Sequence, residues 1–202
     1  GVLAEETIYH FAQGDIVETS NPFHVALWDE NMPVNPETNE RPHAFFTVLT
    51  PDGERYTRNG EFTLDHENTL TTAEGYYVLD EAGNPIVIPD AQAFTVNADG
   101  TIVIEQPDGA VELIPLNIVA VDNPDLLIRH GNGLYEWTGE EPLPQAIGVN
   151  VYQGFTERSN VNPQQAVVDL MQVVRLYEAN QRVIQAYDRS LDKAVNEVGR
   201  LI

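Results

Sequence analysis

The chain has 202 residues, enough for one or two domains, and 42% of them are apolar, so it can bury a core despite its charge. Ten Lys and Arg stand against 32 Asp and Glu, a formal net charge of −22, with Lys193 the single lysine. That balance excludes a general binder of nucleic acid or anionic membrane, which needs clustered cations. The lack of cysteine excludes disulfide frameworks, thiolate zinc sites and cysteine nucleophiles.

The opening residues show no signal-peptide pattern. Gly1-Val2-Leu3 reads like a start in mid-protein. Residues 1–22 lack a clear period, and Gly14 and Asn21-Pro22 suggest an extended lead-in. From residue 23 to about 155, short apolar or alternating runs separated by turn residues predict β structure. The candidate strands are Phe23–Trp28, Ala44–Thr50, Glu54–Arg58, Glu61–Leu64, Tyr76–Leu79, Pro85–Ile88, Phe94–Asn97, Thr101–Gln106, Val111–Leu113, Leu116–Val121 and Leu134–Trp137. Asp52-Gly53, Asn59-Gly60, Gly83-Asn84, Asp99-Gly100 and Asp108-Gly109 read as tight turns, because both residue types tolerate positive φ. Trp28 to His43 reads as a polar loop with three prolines, long for a β connection. The longest apolar runs, such as Ile118-Val119-Ala120-Val121, are far too short to span a bilayer.

Near residue 158 the composition changes. Residues 1–157 carry 4 cations and 27 acids; residues 158–202 carry 6 and 5. Between Pro163 and Gly199 there is neither proline nor glycine. This stretch predicts one long helix, with Asn162 as N-cap, Pro163 at the first helical position, Gln165 where a capping-box partner belongs, and Gly199 near the end. Val167, Leu170, Val174, Tyr177, Gln181, Ile184, Asp188, Leu191, Val195 and Val198 alternate steps of three and four. That is close to a coiled-coil seam, with Gln181 and Asp188 as polar breaks. Such a seam requires cover, either the β domain or, as we prefer, a partner helix from this chain or another.

Residues that could carry chemistry are few. His10, His24, His43, His66 and His130 are scattered without helical metal-ligand spacing. Asp65-His66-Glu67 beside Asn68 reads as a solvated turn, and Asn97-Ala98-Asp99-Gly100 as a hairpin turn rather than a calcium loop, since Thr95 and Gln106 stand where ligands belong. No serine lies in a nucleophile elbow, and Gly131-Asn132-Gly133 lacks the context of a phosphate loop. With 32 acids, paired carboxylates carry little weight for a glycosidase. Tyr135, Trp137 and Tyr152 could form a sugar platform, although packing is the better reading.

Several blocks occur in an order that resembles bacterial flagellar rod and hook proteins. They are Ser20-Asn21-Pro22-Phe23-His24-Val25-Ala26-Leu27, Phe45-Phe46-Thr47-Val48, Tyr56-Thr57-Arg58-Asn59-Gly60-Glu61-Phe62, Gly75-Tyr76-Tyr77-Val78-Leu79, Gly131-Asn132-Gly133-Leu134-Tyr135, Gln153-Gly154-Phe155-Thr156-Glu157-Arg158-Ser159-Asn160-Val161 and Arg175-Leu176-Tyr177-Glu178-Ala179-Asn180-Gln181. The likeness is strongest to the rod proteins. It departs from the family in the long 29–43 loop and in lacking the family's opening helical segment. What the resemblance implies is a mainly β fold with one long C-terminal α-helix, an irregular β-sandwich or barrel-like domain plus a terminal helical core segment. Its parts would be a lead-in of the tube core at 1–22, an outer β-rich domain at 23–152 and a C-terminal segment at 153–202. The chain would be a structural subunit of the flagellar basal-body rod, not an enzyme, with no cofactor, no small-molecule substrate and no nucleic acid. Its partners would be copies of itself, other axial proteins and the flagellar type III export apparatus, and its place the basal body beyond the cytoplasmic membrane. The assembly interface would be the seam at Val167, Leu170, Val174, Tyr177, Gln181, Ile184, Leu191, Val195 and Val198, and the family motif would place Ser159, Asn160, Val161, Tyr177, Glu178 and Asn180. The alternatives are a secreted β-rich binding module, for instance for carbohydrate, and a carboxylate enzyme.

Overall fold

The structure, a computed structural model, describes residues 13–36, 41–89, 94–106, 109–159 and 163–198. Among the described residues fifteen strands, with two short 3-10 turns between the later ones, precede one α-helix: β1 (Ile16–Glu18), β2 (Val25–Trp28), β3 (His43–Thr50), β4 (Gly53–Thr57), β5 (Thr63–Leu64), β6 (Leu70–Thr71), β7 (Tyr77–Val78), β8 (Phe94–Val96), β9 (Thr101–Glu105), β10 (Val111–Pro115), β11 (Ile118–Val121), β12 (Leu127–Arg129), β13 (Leu134–Trp137), β14 (Asn150–Gln153), β15 (Phe155–Glu157) and α1 (Pro163–Val198). The chain divides into two units, residues 1–160 and 161–202. The expected fold class, mainly β with one long C-terminal helix, is the observed one.

The β unit is organised around β3. One edge of β3 pairs with β4; the other takes β11 along its first half and β7 further on. Alternate residues of a strand face opposite sides. Ala44, Phe46 and Val48 therefore join the main core with Val25, Leu27, Phe62, Ile86, Ile102, Ile104 and Ile118, while Phe45 joins a smaller cluster with Val119, Val121 and Leu127. Coverage on both faces is why His43–Thr50 reads as a nearly continuous apolar run. The resulting sheet runs β12-β13-β4-β3-β7-β6-β5, with β11 beside β3. A three-stranded sheet, β10-β9-β8, and two ribbons, β14-β2 and β1-β15, complete the unit.

The turn chemistry works as expected at four sites. Gly53, Gly83, Gly100 and Gly109 all have positive φ, and Gly53, Gly100 and Gly109 lie in the β3–β4, β8–β9 and β9–β10 hairpins. Asp65 caps the turn between β5 and β6, accepting from the amides of Glu67 and Thr69.

Asn59-Gly60 differs. It joins β4 to β5, which do not pair, so it is not a hairpin turn. Gly60 is needed there for close approach: an added Cβ would stand 1.7 Å from the Val25 carbonyl oxygen, and the Gly60 carbonyl accepts from the Val25 amide. Pro85–Ile88 forms isolated bridges, Leu79 to Pro85 and Thr69 to Val87, rather than a strand. Strands β1, β6, β12, β14 and β15 carry no local signal in the reading above. The 29–43 loop is anchored by apolar and charged side chains alike, since Met32 and Asp29 are both buried.

Candidate assembly site

Helix α1 spans 36 residues. Its interior is free of Gly and Pro, and Gln, Ala, Leu and Arg, all good helix formers, accompany its many Val. At about 1.5 Å per residue it is roughly 50 Å long. Gln165 donates to Asp169 one turn on, and Arg182 pairs with Glu178 at 3.7 Å. The predicted cap Asn162 and the predicted terminator Gly199 lie outside the described residues.

The seam residues all lie on α1. Val167, Leu170, Val174, Tyr177, Ile184 and Leu191 are all exposed, at 47–64% of their full surface, as are Gln181 and Asp188 between them. Val195 and Val198 continue the helical backbone. A second series was not recognised from the sequence. Leu170, Val173, Tyr177, Asn180, Ile184, Tyr187 and Leu191 also step by three and four, and Val173 and Tyr187 are exposed. The row Leu170-Tyr177-Ile184-Leu191 is common to both series. Val167 and Val174 flank it on one side, Val173 and Tyr187 on the other. The apolar arc is therefore wider than a single two-stranded seam. On another face Arg175, Arg182 and Arg189 recur every seventh residue.

Of the motif residues, Ser159 is exposed where the description of the β unit ends, and Tyr177, Glu178 and Asn180 lie exposed on α1. Asn160 and Val161 lie outside the described residues.

Where the β unit begins and ends, β1 pairs antiparallel with β15, Ile16 opposite Glu157. The Arg158 amide donates to the Asp15 carbonyl at 2.9 Å, and the Gly14 amide to Glu157 Oε1 at 2.7 Å. Gly14 allows this approach, as a Cβ there would meet the Arg158 carbonyl oxygen at 1.8 Å. Behind the ribbon lies Arg58. Its Nε donates to Glu157 Oε2 at 2.6 Å; its Nη1 to Asp29 Oδ2 at 2.6 Å and the Ala44 carbonyl at 2.7 Å; its Nη2 to Gln13 Oε1 at 3.0 Å and the Leu27 carbonyl at 3.4 Å. His43 Nδ1 approaches the same Asp29 oxygen at 3.5 Å. Burial alone would raise the Asp29 pKa. The hydrogen bond from His43 and the charge and hydrogen bond of Arg58 outweigh it and hold that pKa at about 2. Nothing local in the sequence singles out Arg58 for this place.

The remaining candidates do not converge. Tyr135 and Trp137 pack half-buried against the smaller core cluster, Tyr135 edge-on to Phe45, whereas Tyr152 pairs with Phe155. Three aromatic faces thus do not form one platform. His130 and Arg55 share the Glu136 carboxylate on the surface. Among the described residues there is no group of three or more His, Asp or Glu placed to hold a metal ion. Among the described residues no helix is long and apolar enough to cross a membrane.

Residues 43–104 match the flagellar hook protein FlgE/F/G D1 domain, and residues 152–197 match the C-terminal region of the flagellar basal body rod FlgEFG proteins. The whole chain aligns with the flagellar hook-basal body complex protein FlhO of Bacillus subtilis at 35% identity, covering 74% of that protein. It aligns with the flagellar basal-body rod protein FlgG of Buchnera aphidicola at 31% identity over 96% of the chain and 72% of the relative. It aligns with the basal-body rod protein FlgF of Mesorhizobium japonicum at 32% identity over 93% and 72%.

Proposed function

We infer the role of this chain from one premise: it belongs to the family of flagellar hook and basal-body rod proteins, which are structural and non-enzymatic. It is a structural component of the bacterial flagellar basal body. In the finer reading, it is a subunit of the axial tube. It self-assembles through α1, whose seam pairs with a second helix of comparable length in the tube core, and the β-rich unit at 23–152 lies outside. Residues 1–22 and 153–202 then belong to the core region.

The observation that supports this most is the exposed apolar arc of α1. Six large apolar side chains of the predicted seam and two of the second series face solvent on one helix, which is a poor surface for an isolated monomer and a good one for a helical array. A filament needs heterologous contacts that do not close, and a helix with two overlapping series can meet a different neighbour on each side. The β1–β15 ribbon is a second support. It places Ile16–Glu18 beside Phe155–Glu157, bringing together residues far apart in the sequence.

The partners in this reading are copies of the chain, other rod and hook proteins, and the flagellar type III export apparatus that delivers them. In the same reading the motif residues Ser159, Asn160, Val161, Tyr177, Glu178 and Asn180 belong to the assembly region. The test is sedimentation and electron microscopy of the full-length subunit against the same polypeptide ended at residue 160. Concentration-dependent tubes or oligomers only where α1 is present support the reading. Identical monomeric behaviour of both refutes it.

A further inference from the structure

We infer that Arg58 is the positioning residue of the β1–β15 ribbon, the one side chain that turns the entering and leaving strands into a stiff stem.

Three residues per strand are too few to hold a two-stranded ribbon together in water. One end of this ribbon is held by main-chain bonds, the Gly154 amide donating to the carbonyl of His24, the residue before β2, and the Thr19 amide donating across the ribbon to the Gly154 carbonyl. The other end, where Gln13, Gly14, Glu157 and Arg158 meet, has the Arg158–Asp15 main-chain bond and is otherwise secured through side chains. A guanidinium has five N–H donors, and those of Arg58 reach five acceptors on five different residues: the lead-in (Gln13), β2 (Leu27), the loop after β2 (Asp29), β3 (Ala44) and β15 (Glu157). The acceptors on the core side, Leu27, Asp29 and Ala44, belong to rigid, buried structure. Those on the ribbon side, Gln13 and Glu157, lie at one end of the β1–β15 pair. Glu157 closes the circuit, because its second oxygen accepts from the Gly14 amide of the opposite strand. The Arg58, Asp29 and Glu157 side chains are 20, 8 and 13% exposed, so the pairs are poorly screened and each partner is expensive to leave alone. Lysine presents a point charge with three donors and cannot hold this planar set.

The stiffness of the stem follows from this geometry alone. That the stem also transmits force between the tube core and the outer unit rests on the proposed assembly role. The experiment therefore uses the unassembled full chain, where the stem can be judged without any tube. Amide hydrogen exchange is followed at Gly14 and Arg158, whose bonds belong to the stem, and at Thr47 and Leu79, whose bonds lie beside β3. In Arg58→Lys, exchange at Gly14 and Arg158 accelerates at least tenfold while Thr47 and Leu79 stay within about twofold of wild type. Glu157→Gln, which leaves the Arg58–Asp29–Ala44 contacts in place, gives the same local pattern and serves if the Arg58 variant does not fold. Unchanged exchange at Gly14 and Arg158 in Glu157→Gln overturns the inference. So does a uniform rise at all four amides, which would make the cluster a general stabiliser rather than a positioning device.

Discussion

If the exposed row on α1 is an assembly surface, substitutions there must be silent in the monomer and costly in the polymer. Ile184 and Leu191 lie one heptad apart on the row common to both apolar series, 61 and 56% exposed. Replacing both by Gln removes apolar surface while keeping strong helix formers in place, so the isolated chain has no packing to lose. Full burial of an Ile or Leu side chain contributes about 1.5–3 kcal/mol. With somewhat more than half of each side chain still to be covered, each contributes about 1–2 kcal/mol at an interface, or about 2–4 kcal/mol per subunit for the pair. At about 1.4 kcal/mol per decade, the critical concentration for tube formation rises roughly 30- to 1,000-fold. The assay is pelleting across a concentration series, with thermal melting of the unassembled variant in parallel. An unchanged critical concentration refutes the reasoning outright. A melting temperature that falls by several degrees refutes it too, because the side chains would then be packed within the monomer.

Two further expectations concern the β unit. The Asp29 pKa of about 2 lies below the ordinary value of 3.8, so its ionised form stabilises the fold above roughly pH 4, and that contribution fades as pH falls toward 2. Between pH 5 and pH 2 the wild type should lose about 1–2 kcal/mol more than Asp29→Asn in urea titrations, allowing for residual solvent screening; equal losses would mean that Arg58 and His43 do not hold the carboxylate ionised. Thr47 is 1% exposed, and its hydroxyl has no hydrogen-bond partner. Thr47→Val keeps the branched shape and removes the stranded hydroxyl, so stability should rise by about 1 kcal/mol and the melting temperature by about 2–4 °C.

Features that depend on nearby residues were legible in the sequence. Asp-Gly pairs announce hairpins because the glycine supplies positive φ within the turn itself, as at Gly53 and Gly100. The helix announces itself through its period and through the absence of breakers between Pro163 and Gly199. Strands β3, β9 and β13 emerge from their own apolar runs. Strands β12 and β14 do not. Leu127–Arg129 buries only Leu127 and exposes Ile128 and Arg129, and Asn150–Gln153 is half polar; each is a strand because of its partner, β13 for the first and distant β2 for the second. Strand β1 likewise exists only opposite β15, from the far end of the unit.

The same distinction explains Gly60 and Arg58, whose places in the fold were least visible. Asn59-Gly60 has the signature of a tight turn, yet Gly60 is required by a carbonyl from Val25, a neighbour that only the folded chain provides. Arg58, beside it, looks like any cation in a strand end until Gln13, Asp29 and Glu157 are brought around it from three separate segments. A short block of sequence thus carries a glycine for backbone contact with β2 and an arginine whose side chain reaches Gln13 and Glu157 at the ribbon. That is the pattern expected where two chain ends must leave a β unit at one point and keep a fixed register. A lone arginine surrounded by acids at β4 would otherwise gain more by remaining in water, because desolvating a guanidinium is costly unless every donor is matched.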